Sequence, residues 1–142
     1  MLWKIKPDLV ALNASNKNTL NESMGVVYTE AGDDYLKAQM PVDKRTVQPM
    51  GLLHGGANVA LAETLGSVAS LLCLDDPGRQ APVGVEINAN HLRPATKGYV
   101  TGTVRAIRVG RQFHVWNIEI HDDEGRLTCV SRLTVAVVER RK

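Results

Sequence analysis

Cysteine is scarce in this chain, with only Cys73 and Cys129 among 142 residues. The two lie far apart inside apolar runs, with no CxxC or Cys/His spacing. That pattern excludes a disulfide framework and a cysteine-ligated zinc site and leaves both as small buried hydrophobes. Aromatics are sparse as well, with one Phe, two Trp and three Tyr, too few for a base-stacking platform. A formal charge of +2 is too slight for a protein that tracks a phosphate backbone. No apolar run is long enough to cross a bilayer, and the opening stretch MLWKIKPDLVALNASNK lacks the apolar centre of a secretory signal. A reducing cytoplasm is therefore the expected compartment, with neither nucleic acid nor membrane as partner. No grouping of His, Cys and carboxylate has ligand spacing, so no metal is expected. Repeats, low-complexity tracts and Pro/Gly/Ser linkers are also missing. With 44% hydrophobic residues, residues 1–142 read as one globular domain with a real core.

What is present is a regular succession of elements. Pro7 and Asp8 ahead of Leu9, Val10 and Leu12 predict a short N-terminal helix. A strand near Val26 to Thr29, a turn at Gly32-Asp33-Asp34, and alternation of Leu36, Ala38, Met40 and Val42 against Lys37 and Gln39 predict a hairpin with one buried face. A long apolar helix follows from about Gly56 to Leu74. Four strands come next: one alternating at Val83, Val85, Ile87 and Ala89, then YVTGTVRAIRV, QFHVWNIEIHD and LTCVSRLTVAVV. Their turns are close together, which predicts antiparallel pairing. The fold class is α+β, one long central helix wrapped by a curled antiparallel sheet of about six strands. Apolar or small residues on nearly every side of the helix predict that it is buried all round. One curled sheet cannot cover such a helix, so a second copy is the expected partner.

One residue violates this pattern. In QPMGLLHGGANVALAETLGSV, Gln48 to Val68, a full charge, Glu63, stands in the middle of the apolar helix. An unpaired buried carboxylate costs several kcal/mol, so it is neutralised, paired with an arginine from the sheet, facing a cavity, or at work. The surroundings favour work. Gly55 and Gly56 stand at the helix start, where backbone N–H groups lack partners and the macrodipole is positive, a place for a partial negative charge such as a thioester or ester oxygen. Ser67 lies one turn beyond Glu63 on the same face. Gln48 and His54 precede the helix, while Asn58 and Thr64 point elsewhere around it. An N–H donor, a carboxylate and a hydroxyl suit acyl transfer to water.

This stretch, together with MLWK, MPVDKRT, GVEINANHLRP and SRLTVAVV, resembles the hotdog-fold acyl-CoA thioesterases of the 4-hydroxybenzoyl-CoA and phenylacetate-pathway type over essentially the whole chain. The nearest resemblance is to bacterial 1,4-dihydroxy-2-naphthoyl-CoA thioesterases of menaquinone biosynthesis. The resemblance implies that Glu63 is the catalytic carboxylate, as nucleophile or as general base, and that the N–H of Gly55 polarises the carbonyl. Gln48 and His54 would line the reacting end, and Ser67 would reach it from a neighbouring protomer of a homodimer or dimer of dimers. Coenzyme A enters only as part of the substrate, so no separate cofactor is implied. Its contacts would fall on His91, Leu92 and Arg93 and on the turn Arg108, Val109, Gly110, Arg111, Gln112 and Phe113, with Gly84 near the acyl or pantetheine arm; arginines suit phosphates. The GHFP-like and NPIH-like loops of hotdog dehydratases and hydratases do not occur, and no Asp stands between Val47 and Leu74. Two rival functions remain: a proofreading thioesterase for misloaded aryl carrier proteins or phenylacetyl-CoA-like esters, and a non-catalytic acyl-CoA sensor. A sensor would have no need of Glu63.

Overall fold

The computed structural model describes residues 1–141. In chain order these form α1 (Leu9–Ala14), α2 (Leu20–Met24), β1 (Val27–Ala31), β2 (Tyr35–Pro41), α3 (Gly55–Leu72), β3 (Gln80–His91), β4 (Tyr99–Val109), β5 (Phe113–Asp122) and β6 (Leu127–Glu139). Asp8 starts α1 as its N-cap, its carboxylate accepting from the N–H groups of Val10 and Ala11. The short α2, closed by Gly25 at φ 73°, was not foreseen in the sequence, and α3 starts one residue earlier and ends two residues earlier than its expected span.

All pairings are antiparallel, in the spatial order β1-β2-β4-β5-β6-β3. The expected antiparallel pairing holds for all four later strands. Short turns connect β4, β5 and β6 as neighbours, whereas β3 pairs with β6 at the far edge, a neighbour that the sequence does not specify. The chain leaves α3 on one side of the sheet, and residues 92–98 then carry it back past the start of α3, where the Leu53 N–H bonds to the Ala95 carbonyl at 2.9 Å.

The sheet cups α3 on one side only. Leu61, Leu65, Ala69 and Leu72 pack on Leu36, Met40, Val104, Trp116, Ile118 and Leu133. The approach is close: a Cβ on Gly102 would lie 2.7 Å from a Leu65 methyl, so only glycine lets β4 pass under the helix. The opposite stripe, Val59, Ala60, Glu63, Thr64, Ser67, Val68 and Leu71, is only half-buried. A single chain thus leaves one stripe of the helix uncovered, as expected of one curled sheet, and burial all round is not reached within one copy.

The two edges of the sheet are treated differently. At β1, Asn13 imitates a neighbouring strand, its Nδ2 donating to the Tyr28 carbonyl at 3.0 Å and its Oδ1 accepting from the Tyr28 N–H at 2.8 Å; Asn16 likewise donates to the Val26 carbonyl. At β3 no strand pairs with the outer edge among the described residues, and Val83 and Val85 are 45% and 54% exposed. A long bare edge with exposed valines is a pairing surface.

Candidate active site

The loop before α3 is built to hold the helix start still. The buried Thr46 hydroxyl donates to the Pro41 carbonyl at 2.7 Å, and the Thr46 carbonyl accepts the His54 N–H at 2.8 Å. Val47 and Leu53 bridge across a turn in which Gly51 adopts φ 80°, a conformation side chains resist. His54 is the N-cap of α3, and its Nδ1 accepts the Gly56 N–H at 2.8 Å, so the neutral ring carries its proton on Nε2. The His54 carbonyl takes the N–H groups of Ala57 and Asn58. One N–H of the first turn, that of Gly55, meets no acceptor among the described residues and stays available at the positive end of the helix. The Gln48 side-chain oxygen accepts from the Met50 N–H, which leaves its amide nitrogen free to donate.

Gln48 and Gly55 open onto a cleft of about 330 Å³ that also includes Asn58, His91, Leu92 and Arg93; His54, whose ring caps the helix, is not among its lining residues. His91 packs directly on Gly55: a Cβ there would lie 2.9 Å from its Nε2. Its Nδ1 lies 3.4 Å from the Asn58 Nδ2. Asn58 is 5% exposed, and its Oδ1 is the only buried side-chain polar atom without a hydrogen-bond partner among the described residues. The sequence pattern sets Asn58 aside; the structure puts it in the cleft, and a polar amide on the inner face of an apolar helix was the signal available.

Glu63 is half-buried on the uncovered stripe and makes no ion pair or hydrogen bond among the described residues. The arginine partner that would have explained it structurally is not there. Its carboxylate lies over the backbone of Gly84, where a Cβ would come within 3.4 Å of an Oε, so glycine at a β3 bulge leaves this oxygen uncrowded. Glu63 borders a separate cleft of about 460 Å³ with Asn21, Gly56, Val59, Ala60 and Thr64. Along α3 it stands two turns from Gly55, about 12 Å at the helical rise. Within one chain, the N–H donor and the carboxylate do not meet over a single carbonyl. Ser67 is one turn further still.

The two segments expected to contact the coenzyme are separated as well. His91 pairs with Cys129 and Phe113 with Ala136, seven residues apart along β6, about 23 Å. His91, Leu92 and Arg93 flank the start of α3, whereas Arg108 to Phe113 lie beyond its end. There Val109, Gly110 and Arg111 share a cleft of about 360 Å³ with Lys4, Asp75 and His114. The Gly110 N–H donates to the Phe113 carbonyl, and the Gln112 carbonyl accepts the Val137 N–H. Arg93, Arg108 and Arg111 are exposed and form no ion pair among the described residues. Behind this turn the Trp116 Nε1–H donates to Ser70 Oγ at 2.7 Å, leaving the Ser70 hydroxyl proton for His114 Nδ1 at 2.9 Å. Burial lowers the His114 pKa, partly opposed by the Gly110 carbonyl. Burial pushes the Cys73 thiol up to about 11 and raises Cys129 too, so neither is a thiolate nucleophile. Among the described residues no three His, Cys, Asp or Glu side chains gather as metal ligands, and no helix is long and apolar enough to cross a membrane.

A cupped antiparallel sheet around one long helix, with an unpaired N–H at the helix start and an unpaired carboxylate two turns on, defines a hotdog thioesterase. Residues 50–129 match the thioesterase superfamily, and the chain belongs to that superfamily. It is 51% identical to the 1,4-dihydroxy-2-naphthoyl-CoA hydrolase of Escherichia coli over 97% of this chain and 100% of that protein. It is also 51% identical to the proofreading thioesterase EntH of Cronobacter sakazakii, over 97% of this chain and 99% of that one. A solved mutant thioesterase from Pseudomonas aeruginosa superposes with a TM-score of 0.96 at 51% identity, covering 99% of this chain and 100% of its own.

Proposed function

We propose that the protein hydrolyses an aromatic acyl-CoA thioester to the free acid and CoA, with 1,4-dihydroxy-2-naphthoyl-CoA of menaquinone biosynthesis as the substrate. The observation that carries this reading is the pairing of a free Gly55 N–H with an unpaired Glu63 in an otherwise apolar helix. The E. coli relative's substrate supports the acyl group. The equal identity to EntH supports a second reading, proofreading of misloaded aryl carrier proteins or phenylacetyl-CoA-like esters.

The site is shared between two copies in a homodimer, alone or as half of a dimer of dimers. A two-fold axis that sets Gly55 of one copy against Glu63 of the other places Val59, midway between them, at the axis and brings Ser67 to the loop at Gly51 that carries Gln48 and His54. The half-exposed stripe of α3 and its small residues Gly56 and Ala60 suit that approach. Antiparallel pairing of β3 edges would also bring one copy's Arg108–Phe113 turn toward the other's His91–Arg93, joining the separated coenzyme segments. The thioester oxygen then accepts from the Gly55 N–H, with Gln48 and His54 lining the reacting end. Glu63 of the second copy takes a proton from water as the hydroxide adds, or itself bonds to the carbonyl carbon to give an anhydride that water opens. In either route the C–S bond breaks, the CoA thiolate leaves and takes up a proton, and Ser67 orders the water. No metal and no cofactor beyond the substrate's own coenzyme takes part.

Glu63→Gln keeps size and removes charge. Its kcat on aryl-CoA falls by about three orders of magnitude, roughly 4 kcal/mol, with folding and CoA affinity retained. Turnover near the parent rate would overturn the proposal.

A further inference from the structure

The family resemblance implies that His91 contacts the coenzyme with Leu92 and Arg93, yet its ring lies against the start of α3. Nε2 is the ring atom nearest the place of a Gly55 Cβ, at 2.9 Å, beside the one first-turn N–H that has no acceptor among the described residues. The far side of the ring, Nδ1, faces the Asn58 Nδ2 at 3.4 Å. With the Asn58 amide nitrogen turned to the ring, Nδ1 is the acceptor and the ring proton resides on Nε2. Burying Asn58 to 5% exposure with an orphaned Oδ1 is a cost that alanine or leucine on this inner face would not carry. A group that fixes a neighbouring imidazole accounts for it.

We propose that His91 Nε2–H is a second hydrogen-bond donor to the thioester oxygen, beside the Gly55 N–H, and that the buried Asn58 carboxamide is the positioning residue that holds its tautomer and orientation. Two donors converging on one oxygen from a backbone and a ring are preorganised for the charge that develops as the carbonyl becomes tetrahedral. This inference rests on the reading of Gly55 and Glu63 as the thioester site.

Steady-state kinetics on aryl-CoA and on the matching acyl-pantetheine, together with ¹⁵N NMR of the His91 imidazole, test it. His91→Ala lowers kcat by about a hundredfold on both substrates with KM little changed, and His91→Gln, whose amide still donates, recovers at least about tenfold. The NMR of the parent shows Nε2 protonated and Nδ1 bare, and Asn58→Ala loses that preference while lowering kcat about tenfold. A rise in KM confined to acyl-CoA would make His91 a nucleotide contact and overturn the proposal. A proton on Nδ1 in the parent, or no recovery in His91→Gln, would overturn it also. A dead Glu63→Gln beside a fully active His91→Ala sinks this inference and leaves the hydrolysis standing. A fully active Glu63→Gln sinks the hydrolysis itself, and the NMR result needs no turnover.

Discussion

Replacing Gly55 by proline deletes the N–H proposed to hold the thioester oxygen and adds a Cβ against His91. Gly55 is the first residue of α3, where proline's fixed φ fits and the lost N–H has no intrahelical partner. The preceding His54 sits at φ −64°, ψ 131°, a conformation that the residue before proline accepts. No hydrogen bond is lost in the free protein, because none is made by this N–H among the described residues. The new Cβ would meet His91 Nε2 at 2.9 Å, and alanine carries the same Cβ while keeping the N–H. Gly55→Ala is therefore the reference. Stability of the two variants in urea agrees within about 1 kcal/mol. In a thiol-release assay on aryl-CoA, Gly55→Pro turns over a further 10²–10³-fold more slowly than Gly55→Ala, about 2.7–4 kcal/mol for one oxyanion donor. Equal kcat in the two variants would refute the role given to this N–H.

Arg93→Ala and Arg111→Ala each raise KM for acyl-CoA and leave kcat nearly intact, while acyl-pantetheine is turned over as by the parent; an equal loss on both substrates would make these arginines structural. His114 supplies a pH dependence of stability. Burial lowers its folded-state pKa, so below about 6.5 the unfolded chain binds a proton that the folded chain refuses. Stability is full above that pH, declines as pH falls toward the depressed folded value, and levels off below it. In urea titrations across that range His114→Gln has a shallower decline than the parent, and an unchanged slope would contradict the assignment.

Local alternation was legible wherever one face of a strand met the core: Tyr99–Val109 is a strand as its pattern indicates, because its neighbours on both sides keep its register. The place of β3 was not legible. Its alternating valines say strand, but its neighbour depends on how the chain returns from α3, a long-range choice that no local pattern encodes. The helix composition suggested burial all round, whereas Val59, Ala60 and Val68 are half-exposed in one chain; composition records the burial a residue needs and not which molecule supplies it. Glu63 stood out because a charge in an apolar run has few physical excuses, and the missing arginine removes the commonest of them. Asn58 was passed over because its importance lies in a contact with His91, thirty-three positions away in sequence, and in an orphaned oxygen visible only in three dimensions.

The shared site is tested most directly by mixing two dead variants. Glu63→Gln and Gly55→Pro, each inactive alone, are unfolded together at equal concentration and refolded. If Gly55 of one copy works with Glu63 of the other, half of the dimers are mixed and each has one intact site. The mixture then recovers about a quarter of the parent activity. If both residues serve the same chain's site, every site in every dimer carries a lesion, and a mixture no more active than its parents would contradict the account.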